Sequence, residues 1–400
     1  MHAVTRPLAE VWDGPLDLED VAGGDGHLFV RDGVGVAGRG VAARVALPDA
    51  PAFLSSLAHD DSVGGRSPIA IGSVPFEPAR HHEAVLVVPA LLVGVDAEGT
   101  RWVTQVFGGA DEPPAVSVAP RPRPRAQRFA VGPLTPVERY LAAVTRARDA
   151  VRDDSLLKAV IAREVEVTSD EPIDVHAVLL RLRASFGSSH RYSVDGLVGA
   201  SPELLVQVRG DVLRSHPLAG TAPRTGDPAT DEAVAARLIA STKDQVEHRV
   251  VIDMIHDTLL PWCSYLDWEP EPSIVTVANV QHLGTAMEGR LSDPRPNVLE
   301  LVRALSPTPA LGGFPRDEAL SLIADAEGFA RGRYGGAVGW VDGHGDGTWA
   351  VTIRCAEFSA DRRRARLVAG GGIVAASDPD LELAETQAKL QAMLSAIVRP

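Results

Sequence analysis

The last helix-like segment of the chain carries three charged residues at helical spacing. Glu382 and Glu385 are three positions apart and Lys389 follows four positions later, so all three share one face of a helix. Such a face can be a solvent-exposed ion pair worth about 0.2–0.5 kcal/mol, or a row of carboxylates with a chemical role. Glycines 370–372, just before it, let a ligand or backbone approach closely because glycine has no Cβ. Both interpretations stay open at this point.

A second pair of carboxylates occurs earlier in the chain at the same spacing. Asp244 and Glu247 lie in a strongly apolar segment that the periodicity predicts to be a helix. Asp244 also fits a capping box with Ser241, whereas Glu247 has no comparable structural role. Two helices that each offer two carboxylates could enclose a divalent cation, and such oxygen ligands suit Mg²⁺ better than Zn²⁺. The spacing therefore indicates a candidate magnesium site.

Three more residues could do chemistry, and each has a plainer alternative. Lys158 begins an apolar strand, where a lysine is often a charge that protects a sheet edge. Glu203 follows Pro202 at a strand start and is either an acid aimed into a cleft or a surface edge residue. Arg354 lies inside an apolar strand-like segment (350–358), where its charge needs a buried structural partner or a bound carboxylate.

Composition and charge exclude several classes of function. The chain has 400 residues, 45% hydrophobic and 23% charged, which is typical of a globular protein with a sizeable core. A net charge of −14 argues against a nucleic-acid partner, which needs a basic surface. Two cysteines are too few for a disulfide framework, so we expect a reducing compartment. We see no secretory leader pattern and no apolar run of about 18 residues, and we therefore expect a cytoplasmic protein with no membrane segment.

The order of predicted elements indicates an α+β fold rather than a simple doubly wound sheet. Residues 1–128 are strand-rich, and a stretch rich in proline and arginine (112–127) is typical of an exposed connection. In residues 129–400, helices alternate with long strands that follow one another as meanders. Most candidate chemistry lies in this second part, so we expect it to be the catalytic region.

Ten short segments, taken in their order along the chain, closely resemble the chorismate-utilising enzymes. They are LKAVIAR, SPELLV, PLAGTAPR, KDQVEH, QHLGTAMEGRL, PTPALGGFP, RGRYGGAVGW, TIRC, AGGGIV and ELAETQAK. The resemblance covers about residues 130–398, whereas residues 1–125 match only loosely. The family contains isochorismate synthase, salicylate synthase, anthranilate synthase component I and aminodeoxychorismate synthase.

This resemblance implies both a fold and a chemistry. The implied fold is a large two-lobed α/β sandwich with antiparallel-rich sheets and flanking helices, which forms one structural domain with the site between its lobes. The implied substrate is the dianion chorismate and the implied cofactor is Mg²⁺, which suits an acidic protein with a few local cations. The implied metal-site carboxylates are Glu247 and Glu385. Asp244 and Glu382 lie beside them in this resemblance and contact the metal through water. The implied substrate contacts are Gly220, Thr221, His282, Thr285, Ala310, Leu311, Tyr334, Arg354, Gly371, Gly372 and Lys389.

Four residues bear on which reaction of the family is favoured. Lys158 stands where the water-using members have a lysine and the anthranilate enzymes a glutamine, so it is the implied general base if burial lowers its pKa toward about 7–8. Glu203 is the implied general acid, which protonates the departing C4 hydroxyl while water adds at C2. The segment PTPALGGFP, and Ala310 and Leu311 in particular, resembles the corresponding segment of the isochorismate synthases. We therefore favour isochorismate synthase over salicylate synthase, which also expels pyruvate, and over the ammonia-using members.

The remaining expectations concern partners and departures from the family pattern. The chain shows no glutaminase nucleophile motif, so we expect no glutaminase partner, and a monomer suffices for a site built within one chain. Ser306 replaces a frequent histidine and Ala162 a common serine, but neither change removes a group that the chemistry needs. A homologue that binds chorismate without converting it is the alternative from a different class. The sequence does not distinguish menaquinone from siderophore biosynthesis.

Overall fold

The computed structural model describes residues 1–108, 112–123 and 127–399 of the chain. The helices in this described part are α1 (Leu18–Ala22), α2 (Ala50–Ser55), α3 (Val137–Arg152), α4 (Val175–Ser185), α5 (Pro228–Ala240), α6 (Thr242–Leu259), α7 (Val298–Leu305), α8 (Arg316–Glu327) and α9 (Pro379–Val398). No helix among these residues is long and apolar enough to cross a membrane.

The strands are β1 (His2–Pro7), β2 (His27–Arg31), β3 (Val34–Arg39), β4 (Ala43–Ala46), β5 (Ala58–Asp61), β6 (Ile69–Val74), β7 (Val85–Val88), β8 (Leu91–Val95), β9 (Arg101–Phe107), β10 (Phe129–Pro133), β11 (Lys158–Ser169), β12 (His190–Val194), β13 (Leu197–Ser201), β14 (Leu204–Arg209), β15 (Val212–His216), β16 (Leu218–Pro223), β17 (Cys263–Trp268), β18 (Ser273–Thr276), β19 (Val280–Gly284), β20 (Met287–Leu291), β21 (Gly313–Phe314), β22 (Ala337–Asp342), β23 (Gly347–Val351), β24 (Cys355–Phe358) and β25 (Arg364–Ile373).

These strands form two large sheets and one small sheet. The 13-stranded sheet has the order β10-β11-β25-β24-β13-β12-β2-β3-β8-β9-β1-β5, with β21 added against β11. The nine-stranded sheet has the order β17-β20-β15-β14-β23-β22-β6-β7-β4, and the three-stranded sheet the order β16-β19-β18. Apart from the parallel pair β1 and β5, the strand pairs within the described residues are antiparallel. The expectation of antiparallel-rich sheets in an α+β fold is confirmed.

Strands from the first 128 residues lie inside both large sheets. β2 pairs with β12, and β6 pairs with β22. The two parts of the chain therefore share sheets, and the boundary at residue 128 stays a prediction. The proline- and arginine-rich stretch contains no helix or strand over residues 112–123 and is mostly exposed, while residues 124–126 lie outside the described residues.

Two apolar layers hold the sheets and helices together. Along β2, Phe29 belongs to a layer that joins the two large sheets, whereas Leu28 and Val30 belong to a layer on the opposite face. This alternation follows from the period of two along a strand. Helices α4 and α9 cover the second layer, where Leu179 and Met393 are buried. The 13-stranded sheet therefore has an apolar layer on each face along β2.

The expected strand around Arg354 is wrong in one respect, and the error has a physical cause. β23 ends at Val351 in the nine-stranded sheet and β24 begins at Cys355 in the 13-stranded sheet. Arg354 lies at the crossing between the two sheets with φ of 53°, a left-handed conformation that is uncommon for arginine. Both halves of the segment are apolar, so the pattern of residue types gives no sign of the crossing.

Candidate active site

A narrow cavity lies where β11, β25 and β16 meet helices α6 and α9. Its volume is about 60 Å³, which leaves room for a few water molecules. Most of the residues singled out from the sequence line it: Lys158, Glu203, Gly220, Thr221, Glu247, His282, Ala310, Leu311, Tyr334, Arg354, Gly372 and Lys389. The other lining residues are Val160, Pro202, Leu218, Ala219, Ile353 and Gly370, the last of which belongs to the glycine run noted in the sequence. A ring with two carboxylates needs more room, so side chains must move when it binds.

Lys158 is buried in the cavity wall, so its interpretation as a charge at a sheet edge is wrong. It is the first residue of β11 and is 1% exposed. Its Nζ lies 2.9 Å from Oε1 of Glu247, which projects from α6. Burial alone would raise the pKa of the Glu247 carboxyl, but the ammonium groups of Lys158, Lys389 and Lys243 together outweigh burial and lower this pKa. Glu247 is therefore an ionised carboxylate at neutral pH.

Glu203 lies in the same cavity in a very different environment. It lies between β13 and β14, is 2% exposed, and its Oε1 has no hydrogen-bond partner among the described residues. Burial raises the pKa of Glu203 to about 8, although the backbone N–H of Leu218 and the charge of Lys158 partly oppose the effect. The carboxyl therefore holds a proton at neutral pH and can donate it.

Arg354, His282 and Tyr334 form a donor-rich part of the wall. Nη2 of Arg354 lies 3.1 Å from Nε2 of His282. Because arginine can only donate, Nε2 is the acceptor, and the ring proton lies on Nδ1, which is 3.2 Å from the Gly220 carbonyl oxygen and 3.1 Å from Oγ1 of Thr221. Burial and Arg354 lower the pKa of His282 well below its usual value, so the ring is neutral. Burial raises the pKa of Tyr334 to about 12 and keeps it a phenol.

The charged face of α9 is turned inward rather than toward solvent. Nζ of Lys389 lies 2.5 Å from Oε1 of Glu385 and donates to the carbonyl oxygen of Gly370 at 2.9 Å. Glu382 is 3% exposed and accepts a hydrogen bond from the Ser377 hydroxyl at 2.8 Å. The interpretation of this face as a solvent-exposed ion pair is therefore wrong for this helix.

Helix α6 brings the other two candidate carboxylates to the same place. Ser241 caps the helix and accepts from the backbone N–H of Asp244, as the capping-box pattern predicts. The Asp244 carboxylate accepts from the Ser241 hydroxyl, which differs from the reciprocal side-chain-to-backbone bond of a full capping box. Asp244 also lies beside β16, since a Cβ built on Gly220 would be 3.1 Å from its Cβ.

Two glycines of β25 leave the space that these side chains occupy. A Cβ on Gly372 would lie 2.3 Å from Oε1 of Glu247 and 2.8 Å from Cε of Lys158. A Cβ on Gly371 would lie 2.6 Å from Oε2 of Glu382. Gly372 therefore faces the cavity and Gly371 faces the carboxylates of α9, as expected for neighbours on a strand.

The donor set fits a hard divalent cation in its chemistry, although its present arrangement is not that of a bound metal. Three carboxylates from two helices, Glu247, Glu382 and Glu385, lie beside the glycines of β25, and Asp244 lies near Gly220 of β16. Carboxylate oxygens are the ligands that Mg²⁺ prefers. Among the described residues, however, no group of three or more Asp, Glu, His or Cys side chains converges on one point. The reason is visible in the contacts, because Glu247, Glu382 and Glu385 each pair with a different lysine.

Thr285 lies outside the cavity lining, and two polar residues of the site were missed from the sequence. The Thr285 hydroxyl lies 2.8 Å from Nε2 of His248, and neither residue lines the cavity. Lys243 and Ser377 both contact Glu382. Only Lys243 had a signal, because it directly precedes Asp244 at the start of α6.

Comparison with known proteins matches this sequence and fold to a family. Residues 59–398 match the model of the family described as "Chorismate binding enzyme". The isochorismate synthase DhbC of Bacillus subtilis is 38% identical over 84% of this chain and 82% of its own length, and EntC of Escherichia coli, also named isochorismate synthase, is 35% identical over 87% and 86%. The solved structure of MenF, the menaquinone-specific isochorismate synthase from Escherichia coli, superimposes with a TM-score of 0.83 over 99% of this chain and 94% of that chain at 23% identity, which shows the shared fold. The chain therefore belongs to the family of chorismate-binding enzymes.

Proposed function

We propose that the protein is an isochorismate synthase, which converts chorismate to isochorismate by adding water at C2 and losing the hydroxyl at C4. The observation that carries this proposal is one cavity that contains a buried, protonated Glu203 and a buried Lys158. A reaction that adds water and expels hydroxide needs one group that accepts a proton and one that donates it. Two relatives that are named isochorismate synthase, DhbC and EntC, support the same activity.

The substrate is a dianion, and the cavity offers it cationic and neutral donors. Arg354, Lys389 and the phenol of Tyr334 line the cavity and can bind carboxylates. Because Arg354 already donates to a neutral His282, its guanidinium has a fixed orientation before substrate arrives. These donors support binding of chorismate by its two carboxylates.

Glu203 supplies the proton that the leaving group needs. Its carboxyl donates to the C4 oxygen, the C4–O bond breaks, and water leaves while the carboxylate remains. The charge that develops on Glu203 is then attracted by Lys158 and Arg354. Ionised Glu203 would be the wrong form, so turnover should decline as the pH rises through about 8.

Lys158 accepts the proton of the attacking water as the C2–O bond forms. A lysine that holds three protons in an ion pair with Glu247 cannot do so. The base role therefore requires the neutral amine form of Lys158, released from its contact with Glu247. This requirement links the base to the carboxylates of α6 and α9.

Glu247 and Glu385 would hold Mg²⁺, with Asp244 and Glu382 beside them. When bound, the ion supplies positive charge for a substrate carboxylate and stabilises negative charge that develops in the ring. The donor chemistry of these four side chains and the glycine space beside them support this cofactor.

The proposal extends to partners and location. A site built within one chain needs no partner subunit, so we propose a monomer that works without a glutaminase partner. Cys263 and Cys355 are free thiols in the structure, which supports a reducing, cytoplasmic location.

The direct test is to incubate the protein with chorismate and Mg²⁺ and separate the products by chromatography. We expect isochorismate without pyruvate, and loss of product with EDTA. Lys158→Ala and Glu203→Gln should each lower turnover by about 10²–10⁴-fold with Mg²⁺ binding retained, because each removes one proton transfer. Absence of any product would contradict an enzyme function, and release of pyruvate with salicylate would identify a salicylate synthase instead.

A further inference from the structure

Lys243 is a cation of the carboxylate cluster that has no part in the proposed chemistry. It is the second residue of α6 and directly precedes Asp244. Its Nζ lies 3.4 Å from Oε1 of Glu382, whose side chain is 4% exposed, whereas the lysine side chain is 38% exposed. The ammonium is attracted by Glu382, Glu247, Asp244 and Glu385, that is, by the whole proposed metal-site set.

Lysines supply the positive charge that faces most carboxylates of this cluster. Three carboxylates each have one lysine: Lys158 with Glu247, Lys389 with Glu385, and Lys243 with Glu382. The fourth carboxylate, Asp244, accepts from the hydroxyl of Ser241. Each carboxylate is thereby turned to a different partner, which explains why no three of them converge in the described part of the chain.

Lys243 differs from the other two lysines in its position. Lys158 and Lys389 line the substrate cavity, whereas Lys243 does not. Because more than a third of its side chain is in solvent, its ammonium can turn outward at small cost when another cation approaches Glu382. Glu382 cannot follow it, since it is buried and bonded to Ser377.

We propose that Lys243 is a built-in competitor of the divalent cation, which holds Glu382 and its neighbours in a metal-free arrangement until the ion displaces it. Lys243 is thus a positioning residue that acts through the carboxylates and sets the affinity of the protein for the metal alone. The inference rests on the proposed metal site. Its physical basis is that two cations cannot both occupy the same buried carboxylate without strong repulsion.

The test measures binding of MgCl₂ to the substrate-free full chain by titration calorimetry. Lys243→Met removes the competing charge and keeps most of the stem, so we expect Mg²⁺ to bind about tenfold tighter than to the unmodified protein, equivalent to about 1.4 kcal/mol. Lys243→Arg keeps the charge and should bind like the unmodified protein. Arg249→Met is the matched control, because it removes a cation from the same helix where Arg249 pairs with Asp253 away from the cluster.

A second measurement separates competition from a general loss of structure. Without metal, Lys243→Met should melt at a lower temperature than the unmodified protein, because Glu382 stays buried without its cation. Saturating Mg²⁺ should close this gap. Equal or weaker Mg²⁺ binding by Lys243→Met, or equal tightening in Arg249→Met, would overturn the inference.

The outcomes also distinguish this inference from the proposed function. If the unmodified protein binds Mg²⁺ and Lys243→Met binds it no more tightly, the competitor role fails while the metal site stands. If neither protein binds Mg²⁺, the metal site itself fails and the competitor role fails with it.

Discussion

Glu203 and Glu247 lie in the wall of one cavity, yet their charges are controlled in opposite ways. Glu203 has no ion-pair partner among the residues that the structure describes, and burial raises its pKa to about 8. Glu247 is also buried, but Lys158 lies 2.9 Å away and lowers its pKa. The difference shows that a lysine in direct contact with one buried carboxyl and not with the other, helped by nearby cations, can separate an acid from an anion. Separating the pKa values of two carboxyls is a general way to assign them different roles.

The largest expected effect comes from replacing Glu203 and measuring stability as a function of pH. The unfolded carboxyl ionises near its model value of 4.5, whereas the folded one keeps its proton to about 8. Between these pH values folding takes up a proton, so Glu203 costs stability that grows as the pH rises. Glu203→Gln should therefore stabilise the metal-free protein at pH 9 by up to about 5 kcal/mol and change little below pH 4.

Chemical denaturation at several pH values checks this prediction. Glu247→Gln is the control for the ionised carboxyl. It removes the partner of Lys158 and should destabilise the protein at neutral pH. If both variants changed stability in the same direction at pH 9, the two carboxyls would not be in opposite states.

The second prediction concerns Lys158, which pairs with Glu247 and not with Glu203. Lys158→Met leaves the Glu247 carboxylate buried without its partner and should cost about 3–5 kcal/mol at pH 7. The loss should shrink as the pH falls, because Glu247 can then take up a proton. Adding Glu247→Gln to Lys158→Met should recover part of the loss, and urea unfolding of the two single variants and the double variant measures this coupling. Strictly additive losses would show that the ion pair is not energetically important.

A third prediction alters the space beside the pair without changing any charge. Gly372→Ala places a Cβ 2.3 Å from Oε1 of Glu247, so the carboxylate must move away from Lys158. We expect a loss of about 1–3 kcal/mol together with lower turnover. Gly132→Ala on β10 is the matched control, because no atom lies within 4 Å of its added Cβ. Thermal unfolding of both variants makes the comparison, and an equal effect of the two substitutions would argue against a role for this space.

The sequence predicted the fold class and most of the cavity lining, but not the contacts that determine the charge states of these residues. Ordered motifs were sufficient for the α+β fold and for twelve of the lining residues. The pairing of Lys158 with Glu247 depends on how α6 docks beside β11, which no local pattern encodes. The spacing along α9 predicted that its charged residues share one face. It did not predict whether that face points to solvent or to the interior, because this depends on how α9 packs against β25.

Two further residues show why local patterns have this limit. Arg354 was expected within one strand, because apolar residues continue on both sides of the point where the chain changes sheets. Lys243 received no role, because a lysine at the start of a helix is unremarkable until Glu382 is brought to it from another helix. In both cases the missing information is a contact between distant segments.

The central claim is that Glu203 is protonated and Glu247 ionised in the same protein at neutral pH. Infrared difference spectra of the metal-free protein at pH 7, each variant subtracted from the unmodified chain, test it most directly. A protonated carboxyl gives a C=O stretching band that an ionised one lacks. We predict that Glu203→Gln removes such a band, that Glu247→Gln does not, and that the band of the unmodified protein declines as the pH rises through about 8. A band that persists in Glu203→Gln, or disappears in Glu247→Gln, would contradict the account.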